Sequence, residues 1–156
     1  VLDNRDRRIL QIVQRDASLA QAEIARKVGL STAAVHERLK KLEASGVIRR
    51  WTAVVDARAV GARVTAFVEV FLDHPRHEPA LLDRVARLDE VLECHHVTGE
   101  FSLLLKVRVA DMESLKQVLL HQLGALDGVS RTRTVVVLST AKEETYIAPA
   151  GEGVDA

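Results

Sequence analysis

The first third of the chain places apolar residues at helical spacing in consecutive segments. A first helix is predicted over residues 3–16, with Asp3 as its N-cap. Ser18 and Gln21 have the spacing of a capping box, which predicts that a second helix begins near Leu19. The apolar residues expected to face inward from these two helices are Ile9, Leu10, Val13, Ala22, Ile24, Ala25 and Val28.

A third helix is predicted after a tight turn at Gly29. Glycine enters the left-handed backbone region without a steric cost, and Ser31 is suited to cap the helix that follows. This helix is expected to run to about Ala44, where Ser45 and Gly46 end it. The residues expected on its buried side are Val35, Leu39 and Leu42.

The order of helix, helix, glycine turn, helix and strand is typical of a winged helix-turn-helix. The strand is predicted in IRRWTAVVD, residues 48–56, which is rich in Val, Ile and Trp. Ala25, Gly29 and Val35 stand where two helices of this motif cross. There a small residue fits beneath the crossing, glycine makes the turn and a branched residue holds the second helix. The alternative for the same pattern is an ordinary small helical bundle.

The second half of the chain alternates between strand and helix patterns. Strands are expected in RVTAFVEVFLD, VLECHHVTG, FSLLLKVRVAD and SRTRTVVVLST. Helices are expected in EPALLDRVARLD and MESLKQVLLHQLGAL. The residues on the apolar sides of these two helices are Leu81, Leu82, Val85, Leu88, Leu115, Val118, Leu119 and Leu123. Two βαβ units of similar length predict a ferredoxin-like βαββαβ sandwich, so the whole chain is expected to be α+β.

The first of these strands predicts an interaction between copies of the chain. One face carries Val64, Ala66, Val68, Val70 and Leu72. The other face carries Phe67 and Phe71 beside Thr65 and Glu69. Because helices cover only one side of such a sheet, large apolar residues on the open side indicate a partner. The simplest partner is a second copy with two-fold symmetry, so at least a homodimer is predicted.

Composition is consistent with a compact protein, since 47% of the 156 residues are apolar and the formal net charge is zero. Residues 1–60 carry 12 Lys and Arg against 7 Asp and Glu, and residues 61–156 carry 10 against 15. The basic front predicts a domain that faces a polyanion. The single cysteine, the short apolar runs and the charged N-terminus predict a soluble cytoplasmic protein without a membrane partner.

The outward side of the third helix offers contacts to double-stranded DNA. A helix of this size fits the major groove, and its N-terminal residues lie nearest the base edges. Base contacts are predicted for Thr32, Ala33, His36 and Glu37, and Ser31 at the helix start is also a predicted DNA contact. Phosphate contacts are predicted for Arg38, Lys40, Lys41, Arg49 and Arg50. The alternative for each charged residue is a solvated surface position.

With these features the chain resembles the Lrp/AsnC family of transcription regulators, also called feast/famine regulators, over roughly residues 2–148. The matching segments are LDNRDRRIL, EIARKVGLSTAAVHERLKKLEASGVI, LDEVLECHHVTGEFSLLLKVRV and GVSRTRTVVVLST. The resemblance implies a helix-turn-helix domain, a β-linker and an amino-acid-sensing ferredoxin-like domain, in dimers that assemble to tetramers or octamers. The expected parts are residues 1–47 for DNA binding, 48–62 for the β-strand linker, 63–148 for effector binding and oligomerisation, and 149–156 for a disordered tail.

The resemblance also implies an effector loop. The corresponding residues are Val97, Thr98, Gly99, Glu100, Phe101 and Ser102. Many relatives have aspartate where this chain has Ser102, whereas the asparagine-responsive branch resembles this chain in having serine. Exposed backbone groups at Gly99 could hold a carboxylate or ammonium, and Glu100 could pair with an ammonium. The hydroxyls of Thr98 and Ser102 could orient the ligand. The alternative from the residues alone is a plain hairpin turn.

Other classes of function find less support in the sequence. Glu93, Cys94, His95 and His96 suggest a metal site, but strand alternation sends Cys94 and His96 to one face and the other two residues to the opposite face. The sequence contains no nucleophile elbow, phosphate loop or HExxH helix, so neither an enzyme nor a cofactor is predicted. The main hypothesis is a transcriptional regulator modulated by a small effector, and the alternative is an architectural DNA-bending protein without one.

Overall fold

The structure, a computed structural model, describes residues 2–99 and 102–150. The described chain divides into two compact units, residues 2–53 with 142–150, and residues 54–141. We call residues 2–53 the head, residues 142–150 the C-terminal segment and residues 54–141 the sheet unit. None of the described helices is long and apolar enough to cross a membrane.

The C-terminal end of the chain makes its contacts with the head. Residues 142–148 were expected in the ferredoxin-like domain, but their contacts group them with the helices of the head. Of the predicted disordered tail, Pro149 and Ala150 are placed, and residues 151–156 lie outside the described part of the chain. The last described residues therefore belong with the N-terminal helices.

Three helices form the core of the head. They are α1 (Asn4–Arg15), α2 (Gln21–Val28) and α3 (Thr32–Ala44). Asp3 caps α1 by accepting the Asp6 backbone N–H at 2.8 Å. Gly29 ends α2 with a φ of 65°, and Ser31 caps α3. The buried residues at the centre are Ile9, Leu10, Val13, Ile24, Ala25, Val35, Leu39 and Leu42. The predicted inward faces of α1 and α3 are confirmed.

Three details of the predicted head are wrong. First, α2 begins at Gln21 without a side-chain cap, because the Ser18 N–H and hydroxyl both donate to the Asp16 carboxylate, at 2.9 and 2.6 Å. Second, Ala22, expected to face inward, is exposed. Third, residues 48–56 form no strand. A strand needs partners for its backbone groups, and none of the described strands pairs with this run.

The sheet unit contains four strands and two helical segments. The strands are β1 (Val64–Leu72), β2 (Val91–His96), β3 (Leu103–Val109) and β4 (Val129–Val136). The helices are α4 (Glu78–Val85), which follows a 3₁₀ turn at Pro75–His77, and α5 (Met112–Gln117), which continues as a π-helical turn over Val118–Leu123. The strand order β2-β3-β1-β4, antiparallel throughout, confirms the ferredoxin-like prediction.

One face of this sheet packs on the helices. Ala66, Val68 and Val70 of β1 are fully buried, as the alternation predicted. They pack in one cluster with buried residues of the neighbouring strand and the helices, which include Leu81, Val85, Leu88, Leu103, Leu105, Val107, Leu115, Val118 and Leu123. The opposite face of the sheet is covered by neither α4 nor α5. The π-helical turn after α5 was not predicted, because it keeps the apolar spacing of an α-helix.

Candidate functional site

The solvent-facing side of α3 carries the residues predicted to contact DNA. Val35, Leu39 and Leu42 anchor the other side of the helix in the head core. The predicted contacts that are exposed are Ser31, Thr32, Ala33, His36, Glu37, Lys40, Lys41, Arg49 and Arg50. The Ser31 hydroxyl accepts the Ala34 N–H at 3.2 Å, which uses it as the cap of α3. Together with Arg49 and Arg50, which follow it, the helix thus presents a polar surface with four exposed cations.

Arg38 differs from the other predicted contacts, because it is half-buried and bound within the head. Its Nη1 lies 2.7 Å from Asp3 Oδ2 and 2.6 Å from Asp6 Oδ1. The hydrogen bonds that it donates to Asp3 and Asp6 raise the pKa of Arg38. The Asp6 backbone N–H, and after it Arg38, lowers the pKa of Asp3. Arg38 joins α3 to the start of α1, and sequence analysis missed this because the partners lie 35 and 32 residues away.

The segment after α3 is attached to that helix by Trp51. The Trp51 indole N–H donates to Oε1 of Glu43, although residues 49–56 adopt no regular structure. Beside this contact lies an open cleft of about 510 Å³, whose walls include His36, Lys40 and Trp51. Two of the predicted DNA contacts therefore border a depression in the surface of the head.

The predicted effector loop connects β2 to β3. Thr98 and Gly99 are exposed, and Gly99 has a φ of 137°, a region that disfavours other residues. Ser102 is half-buried, and its backbone N–H donates to the Val70 carbonyl at 3.0 Å, which fixes the end of the loop to β1. Val97 is half-buried. Glu100 and Phe101, also predicted for this loop, lie outside the described residues.

On strand β2 the side chains of neighbouring residues have different partners, in line with the alternation of faces on which the argument against a metal site was based. His95 Nε2 lies 3.2 Å from Glu93 Oε2, whereas His96 Nε2 lies 2.9 Å from Oε1 of Glu78 at the start of α4. Cys94 packs against the core, and burial raises the pKa of its thiol. His95, and then Lys106, lowers the pKa of Glu93. Within residues 2–99 and 102–150, no three His, Cys, Asp or Glu residues are grouped to hold a metal ion.

The uncovered face of the sheet combines apolar and charged residues. Phe67 and Val135 lie opposite each other on β1 and β4, and they are 37% and 55% exposed. Next to them Glu69 forms an ion pair with Arg133. The Arg131 guanidinium stacks on the Phe71 ring, 4.0 Å from its centre, which buries the ring. Of the two apolar residues expected to be open on β1, Phe67 is exposed and Phe71 is covered.

Family models match both parts of the chain. A winged helix-turn-helix DNA-binding model matches residues 2–49, and a model of the Lrp/AsnC ligand binding domain matches residues 65–147. The second match covers the strands and helices of the sheet unit, including the connection between β2 and β3.

Curated relatives and solved structures agree with these matches. The chain is 38% identical to the leucine-responsive regulatory protein of Escherichia coli, over 94% of this chain and 90% of the relative. It is 35% identical to the HTH-type transcriptional regulator FL11 of Pyrococcus abyssi, over 94% and 95%. A transcriptional regulator from Neisseria meningitidis, solved as an L-Met complex, has a TM-score of 0.89 at 30% identity, over 94% and 96%. AsnC from Escherichia coli has a TM-score of 0.88 at 31% identity, over 96% and 99%.

Proposed function

Because the chain belongs to the Lrp/AsnC family of transcriptional regulators, we propose that it binds operator DNA through α3 and that a free amino acid held at residues 97–102 changes this binding. The observation that carries the proposal is the two-sided character of α3. Val35 and Leu39 are buried in the head, while the opposite side exposes cations such as Lys40 and Lys41. We place it in the cytoplasm, because its relatives are transcriptional regulators of organisms without a nucleus.

The exposed residues of α3 divide into two roles. Thr32, Ala33, His36 and Glu37 lie in the first turns of the helix, where a recognition helix approaches base edges, and they read sequence. Lys40, Lys41, Arg49 and Arg50 hold phosphates, which positions the helix without specifying a sequence. Arg38 holds the helix in place and is not assigned to DNA, because its Nη1 already binds both Asp3 and Asp6.

The effector site is assigned to the connection between β2 and β3. Exposed backbone at Thr98 and Gly99 offers N–H and C=O groups to the carboxylate and ammonium common to all free amino acids. The hydroxyls of Thr98 and Ser102 orient the ligand, and Glu100 pairs with its ammonium group. The L-Met complex of the Neisseria meningitidis regulator supports an amino acid as the ligand class.

The uncovered face of the sheet is the surface assigned to homodimer formation. Phe67 and Val135 expose apolar area on a face that neither helix covers. Sheet-against-sheet packing of two copies buries both residues and pairs two heads, which matches an operator with two half-sites. Tetramers or octamers form when such dimers assemble further.

Oligomer formation is tested with Phe67→Glu, measured by sedimentation velocity. The charge placed in the apolar face is expected to shift the chain towards a monomer. The matched control is Leu120→Glu, at a residue 56% exposed in the helical segment after α5. Equal sedimentation of wild type and Phe67→Glu would remove this face as the dimer surface.

The effector is tested by thermal shift against the twenty amino acids. A ligand that binds only the native state adds about 2.7 kcal/mol of stability at a hundredfold excess over Kd. This added stability raises the melting temperature. Any hit is then added to a gel-shift titration with operator DNA. A flat screen together with intact DNA binding would favour the architectural alternative.

The loop itself is tested with Gly99→Val. The left-handed φ and the added side chain are expected to reduce the effector response and leave basal DNA binding intact. The control is Gly61→Val, because Gly61 also has a positive φ, 89°, and no atom lies within 4 Å of an added Cβ. If both variants lose the response equally, the effect is general strain, and the assignment of the loop fails.

A further inference from the structure

The C-terminal segment is attached to α1 by three side chains of that helix. Gln14 makes two hydrogen bonds to the backbone of Ile147: its Nε2 donates to the Ile147 carbonyl, and its Oε1 accepts the Ile147 N–H, both at 2.9 Å. Arg7 Nε donates to the Ala150 carbonyl at 2.9 Å. The Arg15 guanidinium lies 5.0 Å from the centre of the Tyr146 ring.

These three side chains lie on the outer face of α1, outside its buried stripe. At 100° per residue, Arg7 and Gln14 share one flank of the helix next to the buried Leu10, and Arg15 lies farther from the stripe. The amide of Gln14 pairs with a peptide group as a neighbouring strand would, and such pairing requires extended backbone. Arg15 adds a preference for an aromatic ring. The outer face of α1 is therefore a surface that recognises an extended peptide with an aromatic residue.

The C-terminal segment that occupies this surface is connected to the head through residues 54–141. The chain leaves the head after Ala53, runs through residues 54–63 without a strand or helix, forms the sheet unit and returns at Lys142. Docking of the C-terminal segment is intramolecular, so weaker contacts suffice than for a separate peptide. A head with a second attachment loses rotational freedom that a single irregular linker would leave to it.

We propose that the C-terminal segment is a strap that docks on the outer face of α1 of its own chain, and that this second attachment prepares the paired heads for a two-half-site operator. Restricting each head before binding reduces the ordering cost when both heads engage DNA. A single half-site needs only one head, so its affinity does not depend on the strap. The DNA consequence rests on the proposed dimer, whereas the docking itself does not.

Docking is tested by cross-linking the full chain in a Cys94→Ser background. Gln11→Cys, one turn before Gln14 on α1 and outside the three docking contacts, is combined with Ala148→Cys and treated with a short bismaleimide. The expected product is a cross-link within one chain, which migrates as a monomer on a denaturing gel. The control pair, Arg26→Cys with Ala148→Cys, places the first thiol on the exposed side of α2 and is expected to react less. A dimer-sized product would show that the segment docks on a partner copy, and equal reaction of both pairs would show no docking; either result overturns the strap.

The consequence for DNA is tested with Tyr146→Ala combined with Gln14→Ala. Affinity for a two-half-site duplex is expected to fall by about tenfold at fixed salt, with unchanged affinity for a single half-site. The matched control is Thr145→Ala, an exposed neighbour in the same segment. Equal loss on both duplexes would overturn the preorganising role even with the cross-link in place. Loss of dimer in sedimentation would instead trace the effect to the proposed assembly.

Discussion

The ion pair of Arg38 predicts that this residue acts on the stability of the head and not on DNA. The side chain of Asp6 is 16% exposed and that of Asp3 is 51% exposed, so the two bonds differ in strength. Exposed ion pairs contribute about 0–1 kcal/mol, and hydrogen bonds to charged groups about 1.5–3 kcal/mol when shielded from water. Discounting both for partial exposure, we expect Arg38→Ala to destabilise the head by about 1–2 kcal/mol.

The assay uses urea unfolding followed by the fluorescence of Trp51. It is the only tryptophan of the chain and belongs to the head, so its signal reports the head and not the sheet unit. The control is Arg26→Ala, whose pair with Glu23 is 4.0 Å long and whose side chain is 76% exposed. That substitution is expected to change the free energy of unfolding by less than about 0.5 kcal/mol.

A double-mutant cycle with Asp6→Ala isolates the pair from the helix cap that Asp6 also supplies. A coupling energy near zero would refute the reasoning. A second measurement separates the two roles of Arg38: the slope of log K for DNA against log salt is expected to stay unchanged in Arg38→Ala. A slope reduced by about 0.9 is the value expected for one lost phosphate contact, and it would show that Arg38 contacts DNA.

Three further outcomes are expected. Lys41→Ala should weaken binding to all DNA sequences alike and reduce the salt slope by about 0.9 in gel-shift titrations, whereas a change of sequence preference alone would contradict its phosphate role. The pKa of Asp3 lies below its ordinary 3.8 in the folded chain. Its stabilising effect is therefore complete above pH 3.8 and lost as pH falls through the lowered pKa, which pH-dependent unfolding of wild type against Asp3→Asn would show. Gly128→Ala should destabilise the sheet unit in thermal unfolding, because φ is 87° and the new Cβ would lie 2.1 Å from Cγ of His77; an unchanged melting temperature would contradict this.

Local signals predicted most of the fold. The Asp3 cap, the turn at Gly29 and the Ser31 cap each depend on residues within three or four positions, and all were predicted from the sequence. The start of α2 was wrong because Asp16, two residues before Ser18, competes for the same hydroxyl. The run at residues 48–56 has the composition of a strand, but composition does not supply a pairing partner.

The candidate site could be predicted only in part, because some of its contacts join residues that are far apart in sequence. Exposure of Lys40 and Lys41 follows from helical periodicity, and the structure agrees. The engagement of Arg38 by Asp3, and the docking of Ile147 on Gln14, join residues far apart in sequence. A pattern within one helix does not predict such contacts, because each side chain alone resembles an ordinary solvated surface residue.

The attachment of the C-terminal segment to α1 also orders events during synthesis. The three helices of the head touch neighbours close in sequence, so the head can fold soon after residue 53 leaves the ribosome. The sheet unit must wait longer, because β1 lies between β3 and β4 and Val68 pairs with Thr134. The contact between Gln14 and Ile147 can form only when translation is almost complete. A nascent chain therefore carries a folded DNA-binding head before it carries the strap, and a truncated product would keep the first without the second.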